Sequence, residues 1–209
     1  MSVREPAQTA GRRTRSTIRV AFVVANVAII GVFVHQLLAS SPVASPSSTA
    51  SSTGARQRGL GEADGAVPDG TTVFADVPAV ANLDPELLGA LRKAATDAAD
   101  DGVKFYVNSG WRSPAYQEEL LREAIAKYGS KEEAARWVAT PDTSPHVLGH
   151  AIDIGRSDAT AWLSKHGAKY GLCQIYKNEP WHYELRSEAI DHGCPPMYAD
   201  PTHDPRMQQ

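Results

Sequence analysis

Histidines and a carboxylate lie close together between Ser144 and Gly155, at spacings that suit a metal-dependent hydrolase. Such enzymes hold zinc with three ligands from His, Asp or Glu, leave a fourth position open for water, and have a carboxylate base nearby. His146 and His150 have the spacing of two ligands on a zinc-binding helix. However, Gly149 weakens a helix and no Glu follows His146, so the HExxH mechanism is missing.

Asp153 offers a second way to build a ligand pair from the same stretch. It lies between Ile152 and Ile154 in an apolar run that predicts a buried strand. A buried carboxylate without a partner is very costly. A metal shared with His146 would supply that partner, and so would a structural pair with an arginine or a histidine. The residues alone leave both alternatives open.

A second cluster, Glu179-Pro-Trp-His182-Tyr-Glu184, combines two acids, a rigid turn and a histidine. A strand over residues 181–185 would direct His182 and Glu184 to one face, because alternate side chains of a strand point to opposite faces. That face would carry a metal ligand. Glu179 would lie just upstream of it, in a turn that Pro180 makes rigid.

Amphipathic helices and short strands must position these clusters. Asp84 fits an N-cap with Pro85 at the first helical position, and Ser130 opens a capping-box pattern. Because the helices segregate from the strands, we expect an α+β fold with a small antiparallel sheet and flanking helices. The predicted helices begin at residues 85, 114, 131 and 158, and the predicted strands cover 103–107, 151–154, 173–176 and 181–185.

The charge of the chain is unevenly distributed. The net charge is −3, yet the first 60 residues contain seven arginines and a single acid, so the remainder is clearly acidic. An acidic domain argues against nucleic acid as a partner, because that binding depends on Lys and Arg at the phosphates.

The first 39 residues predict an export signal or a membrane anchor. Arginines between residues 12 and 19 precede an apolar stretch from Ile18 to Ala39, which is long enough to span ~30 Å as a helix. We favour an uncleaved anchor over a signal peptide removed near Ser41. The expected location is the cell membrane, single-pass, with the following domain outside the cytoplasm, or secretion if the segment is cleaved.

Composition then divides the rest of the chain. Residues 40–70 are rich in Ser, Thr, Pro, Ala and Gly, and they predict a flexible tether. The folded domain is expected over residues 71–198, followed by a loose tail over 199–209. Cys173 and Cys194 are too few for a disulfide-built scaffold, but in an exported domain we expect them to form one disulfide.

Three ordered motifs carry a resemblance to a known family. They are Ser-Gly-Trp-Arg-Ser at 109–113, SxHxxGxAxD at 144–153 and ExWH at 179–182. Together they resemble the VanY-type zinc D-alanyl-D-alanine carboxypeptidases, whose fold is shared with the hedgehog signalling domain. The resemblance implies a zinc site in a cleft on the sheet, with one Zn²⁺ per chain and His146, Asp153 and His182 as its ligands.

The resemblance also implies roles for residues around the metal. Glu179 matches the base that acts on the zinc-bound water, and Arg112 matches an arginine that stabilises the oxyanion. Ser144 and Gln117 match positions near the substrate. His150 occupies a variable position and is assigned no role.

The expected function is therefore removal of the C-terminal D-alanine from peptidoglycan stem peptides by an exported, monomeric metallopeptidase. Two alternatives remain at this stage. One is a peptidoglycan endopeptidase with the same metal site, and the other is a non-catalytic, zinc-stabilised binding module.

Overall fold

The computed structural model describes residues 59–208, in which four antiparallel strands form one sheet in the order β1-β2-β4-β3. The strands are β1 (Tyr106–Ser109), β2 (Ala151–Gly155), β3 (Leu172–Gln174) and β4 (His182–Leu185), and the helices are α1 (Pro78–Ala81), α2 (Pro85–Asp100), α3 (Pro114–Tyr128), α4 (Lys131–Ala134), α5 (Ser157–His166) and α6 (Ala189–His192). The predicted α+β fold with a small antiparallel sheet is confirmed.

Helix α2 supplies much of the core that supports the sheet. The carboxylate of Asp84 accepts bonds from the first backbone N–H groups of α2, and Pro85 begins the helix as predicted. The buried stripe of α2 includes Leu87 and Leu91, which belong to the same apolar cluster as Ile152 on the central strand β2. Burial of this stripe fixes the sheet on which the candidate site is built.

Some element boundaries differ from those predicted. Strand β1 begins at Tyr106 rather than at residue 103, because the backbone N–H of Val103 bonds to the carbonyl of Ala98 at the end of α2. Helix α5 ends at His166, and a 3-10 turn continues to Tyr170. In both places the backbone closes a helix end instead of extending a strand or a helix.

Residues 59–70 belong to the folded domain, contrary to the tether predicted over 40–70. A 3-10 turn covers Glu62–Asp64, and the backbone N–H of Ser113 donates to the carbonyl of Asp64 at 2.8 Å. Gly65 has φ of 103° and approaches Trp111 so closely that a Cβ there would lie 2.2 Å from the carbonyl oxygen. These are mainly backbone contacts, which a composition-based prediction does not detect.

The C-terminal segment, defined here as residues 200–208, is also ordered, contrary to the predicted loose tail. Its two 3-10 turns cover Pro201–His203 and Pro205–Gln208. Asp200 and Asp204 are fully buried, and Nε of Arg136 donates to Asp200 Oδ2 at 3.1 Å. Ion pairs to buried carboxylates therefore help to hold this segment on the domain.

Cys173 in β3 and Cys194 are joined by a disulfide. The disulfide encloses a loop that contains all of β4 and ends shortly before the C-terminal segment.

Other predictions for the N-terminal part are not addressed by this structure. The anchor or signal predicted over residues 1–39 and most of the tether lie outside the described residues and stay predictions. Within residues 59–208, no helix combines the length and apolarity needed to cross a membrane.

Candidate active site

Three buried side chains that the sequence singled out converge on one point of the sheet. Oδ1 of Asp153 lies 3.5 Å from Nε2 of His146 and 3.2 Å from Nδ1 of His182. All three ligand atoms lie within 4.8 Å of one another. Two ligands of a tetrahedral zinc ion, each ~2.0–2.1 Å from the metal, are ~3.4 Å apart. The spacing therefore fits a single metal ion.

Strand pairing brings two of these ligands together. Asp153 on β2 is the direct cross-strand partner of His182 at the start of β4. On the other side of β2, the register shifts between Val107 and Ser109 of β1, so that Ser109 also faces Asp153. Irregular pairing of this kind re-aims side chains and is common beside functional sites.

His146 reaches the site from a turn rather than from a strand. The turn is held by a bond from the backbone N–H of Arg112 to the carbonyl of His146, at 3.2 Å. It ends at Gly149, whose φ of 74° and close approach to Asn82 leave no room for a side chain. A Cβ at Gly149 would lie 2.6 Å from the carbonyl oxygen of Asn82.

Each ligand is oriented by a hydrogen bond on its other polar atom. Nδ1 of His146 lies 2.8 Å from the carbonyl oxygen of Gly110, and Nε2 of His182 lies 3.2 Å from Oε1 of Glu184. With Nδ1 of His146 and Nε2 of His182 as donors, the opposite ring nitrogens are left with free lone pairs. Such bonds fix the tautomer and the orientation of metal-binding histidines.

The electrostatics of the cluster favour a cation between these ligands. Burial raises the pKa of Asp153, but His146, His182 and Arg112 outweigh it and hold that pKa well below its ordinary value. Burial lowers the pKa of His182, but hydrogen bonds to Asp153 and Glu184 outweigh it and raise that pKa to about 9. The carboxylates therefore favour positive charge at the Nδ1 position, where a metal would bind.

Glu179 lies beside the ligands without joining them closely. Its Oε2 is 3.8 Å from Nδ1 of His182, and the side chain is almost fully buried. The turn that holds it is closed by a bond from the backbone N–H of His182 to the carbonyl of Glu179, at 3.1 Å. Burial raises the pKa of Glu179 to about 7. Such a carboxyl group can accept and release a proton near neutral pH.

Arg112 and Gln117 form a hydrogen-bonded unit at the edge of the ligand cluster. The guanidinium donates through Nε to Ser109 Oγ at 2.8 Å, through Nη1 to Gln117 Oε1 at 3.1 Å, and through Nη2 to Asp153 Oδ2 at 3.0 Å. Gln117 is buried, and its Nε2 donates to the carbonyl of Ala139. Among residues 59–208, the contacts of Arg112 use three of the five guanidinium N–H groups and leave two for another partner.

The ligands face an open cleft of about 360 Å³. Ser144 is buried at its edge, and its hydroxyl oxygen has no hydrogen-bond partner among the described residues. The far wall carries Tyr128 and Trp137, whose rings are stacked 5.9 Å apart. The residues that line the remaining apolar wall include Val138, Trp181, Pro201 and Met207.

The structure thus brings Arg112, Gln117, Ser144 and Glu179 to the cleft that contains the three ligands. His150 is exposed and lies outside the cluster, so a helical His146/His150 pair does not form. The strand pattern placed Glu184 on the face of His182, and Ser109 begins the motif at 109–113, but neither residue was assigned a role. The contact between the Ser109 hydroxyl and Arg112 leaves no sequence pattern.

The sheet, the His-Asp-His cluster and the adjacent buried acid define a candidate metallohydrolase centre. Residues 80–187, just over half of the chain, match the family described as VanY, D-alanyl-D-alanine carboxypeptidase. The chain belongs to this family, as the three motifs predicted.

A D-alanyl-D-alanine carboxypeptidase of Enterococcus faecalis is 34% identical over 111 residues, covering 41% of each chain. This chain thus matches about two fifths of that relative's length. Among solved structures, the vancomycin-resistance D,D-pentapeptidase VanY, in complex with Zn(II), is 29% identical with a TM-score of 0.49, over 53% of this chain and 75% of that one. The LD-carboxypeptidase LdcB is 27% identical with a TM-score of 0.47, over 54% and 70%.

Proposed function

We propose that this chain is an exported zinc metallopeptidase that removes the C-terminal D-alanine from peptidoglycan stem peptides. The observation that carries the proposal is the convergence of His146, Asp153 and His182 beside the buried Glu179. Membership of the VanY family supports the choice of bond.

One zinc ion per chain is proposed at the His-Asp-His cluster. Two imidazole nitrogens and one carboxylate oxygen form the donor set of a catalytic zinc, with a position left for water. Bound there, zinc supplies Lewis acidity and lowers the pKa of a coordinated water towards ~7.

Glu179 is proposed as the general base. Its carboxylate would take the proton from the attacking water and return it to the leaving amine. The pKa of about 7 supports this role, because a group that titrates near the working pH is suited to both transfers. Glu179 is not among the residues whose donor atoms all lie within 4.8 Å of one another, which supports a base rather than a fourth ligand.

Arg112 is proposed to stabilise the negative charge that develops on the oxygen of the scissile carbonyl. Its guanidinium is held in place by Ser109, Gln117 and Asp153, so its free donors need no rearrangement. Gln117 is proposed to hold Arg112 in place by accepting a hydrogen bond from its Nη1. The unpartnered hydroxyl of Ser144 is proposed to bind the substrate.

The arrangement favours an enzyme over a binding module. A structural zinc ion needs neither a buried base nor a preorganised arginine beside it, and this cleft contains both. A peptidoglycan endopeptidase would use the same groups, so the products must decide between the two activities.

The proposed substrate, peptidoglycan, supports a location outside the cytoplasm. We propose that residues 1–39 anchor a monomer in the cell membrane, which would leave the domain of residues 59–208 close to the cell wall. The acidic composition of the remainder of the chain supports the absence of a nucleic-acid partner.

Incubation of the full, zinc-loaded chain with a defined stem pentapeptide ending in D-Ala-D-Ala tests the function. We expect mass spectrometry to show free alanine and a product shortened by one residue. The same peptide ending in D-Ala-L-Ala is the matched control and should stay intact. Cleavage only within a cross-linked dimer would indicate the endopeptidase instead, and binding without cleavage would indicate the binding module.

A further inference from the structure

Glu184 is buried against the proposed ligand His182 and has no part in the steps above. It is 1% exposed, and its Oε1 accepts a bond from Nε2 of His182 at 3.2 Å. The other ring nitrogen, Nδ1, faces Asp153. The orientation of the Glu184 carboxylate therefore sets the tautomer and the ring position of His182.

Arg206 in the C-terminal segment holds this carboxylate on both oxygens. Its Nη1 donates to Glu184 Oε2 at 2.7 Å, and its Nη2 reaches Oε1 at 3.3 Å. Arg186 also donates to Oε2, at 2.7 Å. Among the described residues, Arg206 is therefore the arginine that contacts the oxygen facing His182. A bidentate contact of this kind fixes orientation as well as charge.

Asp204 keeps Arg206 in position. Its carboxylate accepts bonds from the backbone N–H and from Nε of Arg206, both at 3.0 Å, and it is fully buried. The hydroxyl of Tyr176 donates to the same carboxylate at 3.0 Å. The ring of Tyr176 packs 5.1 Å from the ring of His182. The C-terminal segment thus supports His182 indirectly in two ways. Arg206 holds Glu184, which bonds to Nε2, and Asp204 holds Tyr176, which packs against the ring.

We propose that Arg206 is a positioning residue of the metal centre. In this role Arg206 orients Glu184, so that His182 presents Nδ1 to zinc. The inference rests on the proposed function, because it takes His182 as a ligand. Arg206 lies outside residues 80–187, where the chain matches its family. The support for His182 through Glu184 therefore comes from residues that lie beyond the matched region.

Zinc affinity of the full chain, measured by competition with a chelator of known affinity, tests this role. Arg206→Met keeps an unbranched side chain and removes the guanidinium, and we expect it to weaken zinc binding by ~10–100-fold. Arg206→Lys should recover part of that loss, because an ammonium keeps the charge without the bidentate geometry.

Arg136→Met is the matched control. Arg136 also fastens the C-terminal segment, through Asp200, but it does not contact Glu184. This variant should bind zinc as the parent does. In a Glu184→Gln background, Arg206→Met should cause little further loss, since the carboxylate through which it acts is already gone.

Parent-like zinc affinity in Arg206→Met would overturn the inference. Equal losses in Arg206→Met and Arg136→Met would overturn it too, because they would point to general docking of the segment. Thermal unfolding of the zinc-free proteins separates these results from instability, and a fall in stability alone would count against the role. A parent that binds no zinc would overturn the proposed function itself.

Discussion

Glu179 and Asp153 are both buried carboxylates in contact with His182, but their distances from its Nδ1 differ. Asp153 Oδ1 is 3.2 Å away, and Glu179 Oε2 is 3.8 Å away. We expect Glu179→Gln to retain about one zinc per chain and to lose ~10²–10⁴ in kcat, the usual contribution of general acid–base catalysis. Metal analysis with single-turnover kinetics checks both parts. Loss of zinc would make Glu179 a ligand, and full activity would mean that another group is the base.

Asp153 and His150 provide a paired test of the ligand set. Asp153→Ala removes a buried proposed ligand that also anchors Arg112, and it should abolish stoichiometric zinc binding. His150→Ala changes an exposed side chain outside the cluster, and its metal content should match that of the parent. Elemental analysis after dialysis gives both values. If His150→Ala lost zinc and Asp153→Ala kept it, the alternative ligand pair of His146 and His150 would be supported instead.

The proposed ligand residues could be singled out from sequence because they lie in short motifs with strict residue types, and the family resemblance then selected His146, Asp153 and His182 among the alternatives. The support around them was not. Glu184 and Arg206 are 22 positions apart, and their ion pair depends on how the C-terminal segment docks. Periodicity and composition describe neighbours along the chain, so they carry no information on such a contact.

At the scale of elements, the turn that ends at Gly149 determines where His146 lies. Gly149→Ala would force an unfavourable φ and a clash with Asn82, so we expect a loss of stability of more than ~1 kcal/mol together with weaker zinc binding. Gly89→Ala is the control, because Gly89 lies inside α2 with open space around it. That change should stabilise the protein by ~0.5–1 kcal/mol. Urea unfolding measures both changes in unfolding free energy. If both variants were destabilised or both were stabilised, the role assigned to the Gly149 turn would be contradicted.

The elements themselves were largely predictable, and their errors share a cause. The apolar stripe of α2 and the capping residues Asp84 and Ser130 mark helices whose starts the structure reproduces. The tether prediction was wrong for residues 59–70, and so was the tail prediction for residues 200–208, because both segments dock through polar and backbone contacts. Asp64 and Asp200 are examples, since each pairs with a residue far away in the sequence.

At the scale of the whole molecule, docking of the C-terminal segment should depend on acid pH. Burial raises the pKa of Asp200, but bonds from Thr202, His203 and Arg136 outweigh it and lower that pKa to about 2. A lowered pKa in the folded state means that the stabilisation is present above the unfolded value near 4 and is lost as the pH falls towards 2.

We therefore expect the unfolding free energy of the parent to fall between pH 4 and pH 2 more steeply than that of Asp200→Asn. Urea unfolding at a series of pH values measures the difference. Asp69→Asn changes an exposed carboxylate outside the C-terminal segment and is the control. Its unfolding free energy should depend on pH as that of the parent does. Identical slopes for the parent and Asp200→Asn would contradict the docking contact.

The disulfide changes what a break in the backbone would do to this molecule. Most residues from 187 to 193 are exposed, and exposed segments are where proteases cut. A cut there would divide β4 from the C-terminal segment along the backbone. Because Cys173 lies before the cut and Cys194 after it, the two fragments would stay covalently joined. Arg206 would then remain at a high effective concentration near Glu184, and a nicked chain would keep its support as long as the bond stays oxidised.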